Sequence, residues 1–328
     1  MLEITEDTWQ TIKSVVPESV KRLVTPLLPR LNQFIKVRQD FKHPSHNTNS
    51  PNWLTYSGPS VLSREQVTFW NENGYLVLPK FFGQYRINEI NALLDRLWAE
   101  RQRPENPLVI DIALDASGGE RKYFRDAPDA AREAPYKLID TYLEHDLIRG
   151  MITDVRLCQI LAELLEGDPM VCNTLNFERG SQQDYHFDTF YMPAPVENKM
   201  VASWIALEDV HPDAGPLQYY PGSHKIPPYR FSNGGLCPIG SEFSQFKLYI
   251  DKEIEKAGLK SSSFAAQAGD VLIWHSQLFH GGGAIHDARR TRKSVVTHYF
   301  RAMDFPSEAY TSIAPGRHYM NRPHHRVP

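Results

Sequence analysis

Between Met170 and Met303 the chain is cut by turn residues into short apolar or alternating runs. These are MVCNTLNF (170–177), YHFDTFYM (185–192), MVASWIALEDV (200–210), PLQYYPGSH (216–224), GDVLIWHSQLFH (269–280) and KSVVTHYFRAM (293–303). The gaps hold Gly, Pro, Asn and Asp, which supply the backbone conformations that turns require. Strands this short and this numerous cannot each bury a face alone. They predict an antiparallel barrel or jelly roll, mostly antiparallel β with flanking helices.

The helices fall upstream. Residues 5–41 place Val15, Val16, Val20, Leu23, Val24, Leu27 and Leu28 at helical spacing, and Pro17, Pro26 and Pro29 break the segment into short pieces. Lys21, Arg22, Arg30, Lys36 and Arg38 give it a basic side, for which a solvated helix face outweighs a peripheral membrane contact by residues 1–40. KHPSHNTNSPNW is an unpatterned linker that closes a 1–60 extension. A new start follows in LSREQVTFWNENGYLVLPKFF. Ser63 and Gln66 have capping-box spacing, Gly74 sits at a helix end, and YLVLPKFF reads as a strand. RINEINALLDRLWAERQ reads as an amphipathic helix, residues 102–136 as a long substrate-facing loop, and roughly 138–166 as a further helix.

Bulk properties narrow the function. A net charge of −3 and a pI near 6.5 give no electrostatic reason to expect nucleic acid. Cys158, Cys172 and Cys237 are odd in number and lack CxxC spacing, which argues against a disulfide framework or a zinc ribbon and fits a reducing compartment. The N-terminus lacks a basic region followed by an apolar core, and no run of about 18 apolar residues occurs, so a cytoplasmic location without a transmembrane segment is expected.

His186 and Asp188 stand two apart within a run of β-favouring residues, a spacing that puts both on one face of a strand, with Phe187 opposite. The best third partner is His280, at the end of an apolar strand and before Gly281, Gly282 and Gly283, which let the backbone crowd a ligand. Two histidines and one carboxylate form the facial set that leaves open positions on non-haem Fe(II). Arg292 enters on the next strand, where a guanidinium binds a distal carboxylate with two prongs, and Ser294 shares its face as a hydroxyl donor. This is the minimum equipment for Fe(II) with 2-oxoglutarate. Bland readings stand beside it: HxD arises by chance in many chains, His275 and His298 read as structural core histidines, and Arg289 and Arg290 sit in a turn where solvated arginines are the default.

From Leu62 to Arg301 the chain resembles the phytanoyl-CoA dioxygenase (PhyH) family of iron/2-oxoglutarate oxygenases. The resemblance rests on LSREQVTFWNENGYLVLPKFF, HFD, SWIALEDVHPDAGPLQYYPGSHK, and GDVLIWHSQLFHGGG followed by TRKSVVTHYF, in that order. It implies a double-stranded β-helix (jelly-roll, cupin-like) core over 61–305 and a C-terminal tail over 306–328. It implies His186, Asp188 and His280 as iron ligands, Arg292 on 2-oxoglutarate, and Trp204 lining the cosubstrate pocket. The PGSH turn, Pro221 to His224, matches a hallmark read as structural. Phe187 stands where relatives often carry Gln, and Gly282 where some carry a hydroxyl.

The implied reaction consumes 2-oxoglutarate and O2, releases succinate and CO2, and hydroxylates an unactivated C–H of a small organic substrate of unknown identity. Related halogenases lack the carboxylate, so Asp188 speaks for hydroxylation. Specificity is expected from residues 102–136, from YMPAPVENKM and from PPYRFSNGGLCPIGSEF. A non-catalytic jelly-roll binding module and a scaffold acting through residues 1–60 are the alternatives.

Overall fold

The computed structural model describes residues 60–112 and 120–327. The helical reading of 5–41 and the linker after it lie outside the described residues. Helix α1 (Arg64–Asn73) begins with the expected capping box. Ser63 Oγ accepts from Gln66 N at 3.2 Å and Gln66 Oε1 accepts from Ser63 N at 2.9 Å, an arrangement worth about 1 kcal/mol. It ends at Gly74, whose φ of 75° is left-handed. Strand β1 (Tyr75–Leu78) stops earlier than YLVLPKFF suggests, because Lys80 turns the chain at φ 48° and donates its N–H to Asp270 Oδ1 at 2.8 Å. Helix α2 (Gln84–Ala99) buries Ile87, Ile90, Leu93 and Trp98. Each fully buried isoleucine contributes about 2–3 kcal/mol.

Residues 102–136, expected as a loop, instead carry β2 (Val109–Ile112) and β3 (Glu120–Tyr123) and reach the start of β4 (Tyr136–Ile139). Asp111 and Arg121 pair across β2 and β3 through two contacts of 2.6 and 2.8 Å. A charged cross-strand pair holds this hairpin, so its sequence has a loop's composition. The helix expected from 138 also begins as a strand, because Leu138 and Ile139 pair with the next strand. It becomes helical only at α3 (Asp146–Ile152) and α4 (Val155–Leu165).

The remaining strands are β5 (Pro169–Phe177), β6 (Met200–Ala206), β7 (Leu217–Tyr219), β8 (Ser262–Phe264), β9 (Val271–His275), β10 (His280–Gly282), β11 (Ser294–Arg301), β12 (Tyr310–Ala314) and β13 (Arg317–Met320). One sheet runs β1-β9-β6-β11-β5-β4-β2-β3, with antiparallel neighbours. Within 306–328, β13 adds to β5 in parallel and pairs with β12. A second sheet runs β10-β7-β8.

Period two sorts the large sheet into faces. Val201, Ile205, Val271, Ile273, Val295 and Tyr299 pack with Trp70, Ile87, Ile90, Leu157 and Leu161 of the helices. Ala202, Trp204, Ala206, Leu272, Trp274 and Val296 pack instead against Leu217, Tyr219 and Phe264 of the second sheet. Helices therefore cover one face, and the other forms the interior of a jelly roll.

The chain divides into two compact units, Leu54–Cys237 with Leu248–Pro328, and Met1–Trp53 with Pro238–Lys247. Of the second, Pro238–Lys247 is described: a 3-10 turn, Gly240–Glu242, leads into the start of α5 (Phe243–Lys256). No helix among the described residues is long and apolar enough to cross a membrane.

Candidate active site

His186 and Asp188 do not lie on a continuous strand. His186 forms an isolated antiparallel bridge with His280, N to O at 2.8 Å and 3.1 Å in the two directions, and Asp188 opens a 3-10 turn, Asp188–Phe190. Phe187 packs on Phe279 and Phe190, with ring centroids at 5.1 and 5.5 Å. The glycines after His280 serve backbone packing. A Cβ at Gly281 would lie 2.9 Å from Gln183 O, one at Gly282 2.7 Å from Gln182 N, and one at Gly283 2.9 Å from Pro216 O. They crowd the neighbouring chain, and by doing so they seat His280 beside His186.

Ligand atoms of His186, Asp188 and His280 all lie within 4.8 Å of one another. Nδ1 of His186 lies 2.7 Å from Asp184 O, and Nδ1 of His280 lies 2.9 Å from Leu278 O. A carbonyl only accepts, so each Nδ1 carries a proton and each Nε2 is the nitrogen turned toward Asp188. Those two nitrogens lie 3.8 and 3.6 Å from Asp188 Oδ1. Two imidazole nitrogens and a carboxylate oxygen thus converge on one place, the donor set that a divalent metal ion takes. Gln183 Nε2 approaches His186 Nε2 at 3.4 Å.

Burial, then the neighbouring His280, pulls His186 down to about 3, so it is neutral and ligand-ready at neutral pH. Burial pushes the Asp188 carboxyl up, yet the group lies below the ordinary carboxylate range, with His298 acting on it as a hydrogen-bond donor. Asp188 Oδ2 accepts from Trp274 Nε1 at 2.7 Å, and His298 Nε2 lies 3.4 Å from Oδ1.

Arg292 is 2% exposed, and its guanidinium carbon lies 5.5 Å from the Trp204 ring centroid and 5.8 Å from that of Phe177. Burial pulls it down to about 10, with Glu208 offsetting part of that. Among the described residues, Arg292 Nε, Trp204 Nε1 and Ser294 Oγ are buried without a hydrogen-bond partner. Unpaired buried polar groups cost about 1–3 kcal/mol each. A buried guanidinium beside an unpaired indole N–H, with an unpaired hydroxyl two residues along the chain, suits a carboxylate, so the donor set fits 2-oxoglutarate as the histidines and Asp188 fit Fe(II).

A family model for phytanoyl-CoA dioxygenase (PhyH) matches residues 70–294. The chain belongs to the phytanoyl-CoA dioxygenase family. It is an oxygenase. The peroxisomal phytanoyl-CoA dioxygenase of Mus musculus is 23% identical over 253 residues, covering 73% of this chain and 69% of that protein. Among solved structures, the non-haem alpha ketoglutarate dependent carbocyclase SnoK from nogalamycin biosynthesis superposes with a TM-score of 0.55 at 18% identity, covering 75% of this chain and 87% of its own. EctD from S. alaskensis with 2-oxoglutarate and 5-hydroxyectoine gives 0.54 at 16%, covering 76% and 81%. These two share the fold.

Other residues singled out in the sequence find different places. His275 stands apart from Asp188, against His224 and Trp70 at ring-centroid distances of 5.4 and 6.1 Å. Arg289 and Arg290 pair with Asp287 in the 287–290 turn. In the PGSH turn of this family member, Ser223 Oγ accepts from Phe279 N at 2.8 Å and so buttresses the strand that presents His280. Sequence reasoning passed over three residues: Trp274, Phe177 and the contact of His298. The last was legible, since 292, 294, 296 and 298 alternate with 295, 297 and 299 along one strand. Nothing in LIWHS marks Trp274 as a carboxylate partner.

Proposed function

We propose that His186, Asp188 and His280 hold Fe(II), that Arg292, Trp204 and Ser294 receive 2-oxoglutarate, and that the protein hydroxylates a small organic substrate. The convergence of two imidazole Nε2 atoms on one carboxylate oxygen, each imidazole held through Nδ1 by a backbone carbonyl, carries this reading. Bound iron, 2-oxoglutarate and O2 together supply succinate, CO2 and one oxygen atom for a substrate C–H bond. Arg292 neutralises and orients the far carboxylate of the cosubstrate, and Ser294 adds a hydroxyl donor. Phe177 and Trp204 exclude water from the guanidinium, which strengthens its pull on a carboxylate. Tyr191 and Gln183 flank the solvent side of His186: the Tyr191 ring lies 5.4 Å from the imidazole and its hydroxyl 3.4 Å from Gln183 Nε2. The substrate approaches over this pair. The complete donor set lends no support to a non-catalytic module.

The test is succinate formation by protein supplied with Fe(II), 2-oxoglutarate and air. Slow turnover that disappears in His186→Ala and Arg292→Gln supports the assignment. Wild-type turnover retained in His186→Ala would remove the metal from these residues.

A further inference from the structure

The two oxygens of the Asp188 carboxylate have unlike surroundings. Oδ2 accepts a hydrogen bond from Trp274 Nε1 at 2.7 Å, and Trp274 is 2% exposed on the inward face of β9. Oδ1 faces His186, His280 and His298 at 3.8, 3.6 and 3.4 Å. The third histidine differs from the first two in where its proton must sit. Nδ1 of His186 and of His280 each has a backbone carbonyl, whereas Nδ1 of His298 is buried with no hydrogen-bond partner among the described residues. A buried N–H without an acceptor is the costlier state, so the His298 proton sits on Nε2 and points at Oδ1.

We propose that Trp274 and His298 are positioning residues that clamp the Asp188 carboxylate, so that it offers Oδ1 alone to the metal and withholds Oδ2. The proposal rests on the reading that Asp188 is a metal ligand. Its chemical consequence is a matter of coordination places. A freely turning carboxylate chelates through both oxygens and takes two of the six positions of an octahedral ion. With the two histidines that makes four, leaving two positions for a cosubstrate that chelates and none for O2. With Oδ2 tied to the Trp274 indole and His298 Nε2 3.4 Å from Oδ1, Asp188 would offer a bound ion one oxygen. An ion so held would keep room for the cosubstrate and O2. The 3-10 turn that starts at Asp188, with Tyr191 N and Met192 N both donating to Asp188 O at 2.9 and 3.0 Å, fixes the backbone from which the carboxylate hangs.

The experiment is an anaerobic Co(II) titration in the presence of 2-oxoglutarate, followed by the cobalt d–d absorption, with thermal unfolding of each variant alongside. The variants are Trp274→Phe, His298→Leu, His298→Gln, Asp188→Ala and Trp98→Phe. Trp98 is a matched control, since its buried indole donates to Tyr136 Oη at 2.6 Å within another apolar cluster. Trp274→Phe and His298→Leu are expected to weaken Co(II) binding roughly 10–100-fold, the usual effect of removing a ligand's hydrogen-bond partner, and to alter the d–d band pattern. Trp98→Phe keeps wild-type affinity, and His298→Gln recovers most of it because its amide reaches Oδ1 as a donor. The clamp is overturned if Asp188→Ala abolishes binding while Trp274→Phe and His298→Leu bind as wild type. It is overturned equally if Trp98→Phe weakens binding as much as Trp274→Phe does. Wild-type binding by Asp188→Ala would sink the underlying ligand assignment instead. Should Trp274→Phe fail to fold, the contrast of His298→Leu with His298→Gln decides the matter alone.

Discussion

His186 and His280 exchange both backbone hydrogen bonds, so the two imidazoles sit on directly opposed residues with ring centroids 4.4 Å apart. Their spacing is set by strand pairing and not by side-chain packing, and backbone pairing tolerates little change. The metal-binding power of the pair should therefore depend on whatever keeps β10 against residues 181–186.

Gly282→Ala tests that dependence. The added carbon meets Gln182 N at 2.7 Å, and overpacking of this kind costs about 1–3 kcal/mol. Thermal unfolding should fall by several degrees and Co(II) affinity about tenfold, although residue 282 is not one of the three proposed ligands. Unchanged values for both would show that the strand yields without moving His280.

Arg292→Gln should raise the 2-oxoglutarate KM by about 30-fold or more, because removing one partner of a buried, hydrogen-bonded charge pair costs about 2–5 kcal/mol. Ser294→Ala removes a neutral donor worth about 1 kcal/mol and should raise it about fivefold. Initial rates of succinate release across a 2-oxoglutarate series give both numbers. An equal, small effect from the two would argue that the distal carboxylate binds elsewhere.

Metal alone should stabilise the fold. Mn(II) at a hundred times its Kd adds about 2.7 kcal/mol if it binds only the native state. The resulting upward shift in Tm should be reversed by chelator and absent from Asp188→Ala. A shift of the same size in that variant would place the ion at another site.

Acid should destabilise the protein partly through His275. Burial, with His224 and Lys199 adding, pulls it from its ordinary value down to about 3. The native state thus binds fewer protons than the unfolded chain between about pH 6.5 and pH 3. The stability is fully present above 6.5 and is lost as pH falls through that window. Between pH 7 and pH 5 the loss is up to about 2 kcal/mol. His275→Asn keeps an acceptor for Gln277 N, now 3.1 Å from His275 Nδ1, and should flatten the pH dependence of the urea midpoint. His224, shifted in the same direction, leaves part of the slope. An unaltered slope would mean that His275 is not the titrating group.

Much of this was readable in the chain because the relevant signals are local. Ser63, Gln66 and Gly74 mark the bounds of α1, and the apolar runs of β6, β9 and β11 stand between turn residues. What escaped reading was held by partners distant in sequence. Strands β2 and β3 look like a loop until Asp111 meets Arg121, and Leu138 and Ile139 look helical until β5 lies beside them. The same holds within the site. The spacing of His186 and Asp188 predicts that the two side chains meet, and they do so by another route, since a bridge and a 3-10 turn, and not a strand, bring them together. Trp274 became meaningful only when β9 was set against Asp188, a register that no short motif records.

Strand β5 pairs with β4 through Leu138 and Ile139, yet its long partner β11 lies more than a hundred residues later, and β13 later still. At about 5–20 residues per second of synthesis, the chain waits roughly 6–25 s between making β5 and making β11. Throughout that interval Val171, Leu175 and Phe177 stand on an open edge, available to any other strand nearby. A newborn copy thus carries this open edge until β11 follows, and nascent neighbours on one message share the exposure.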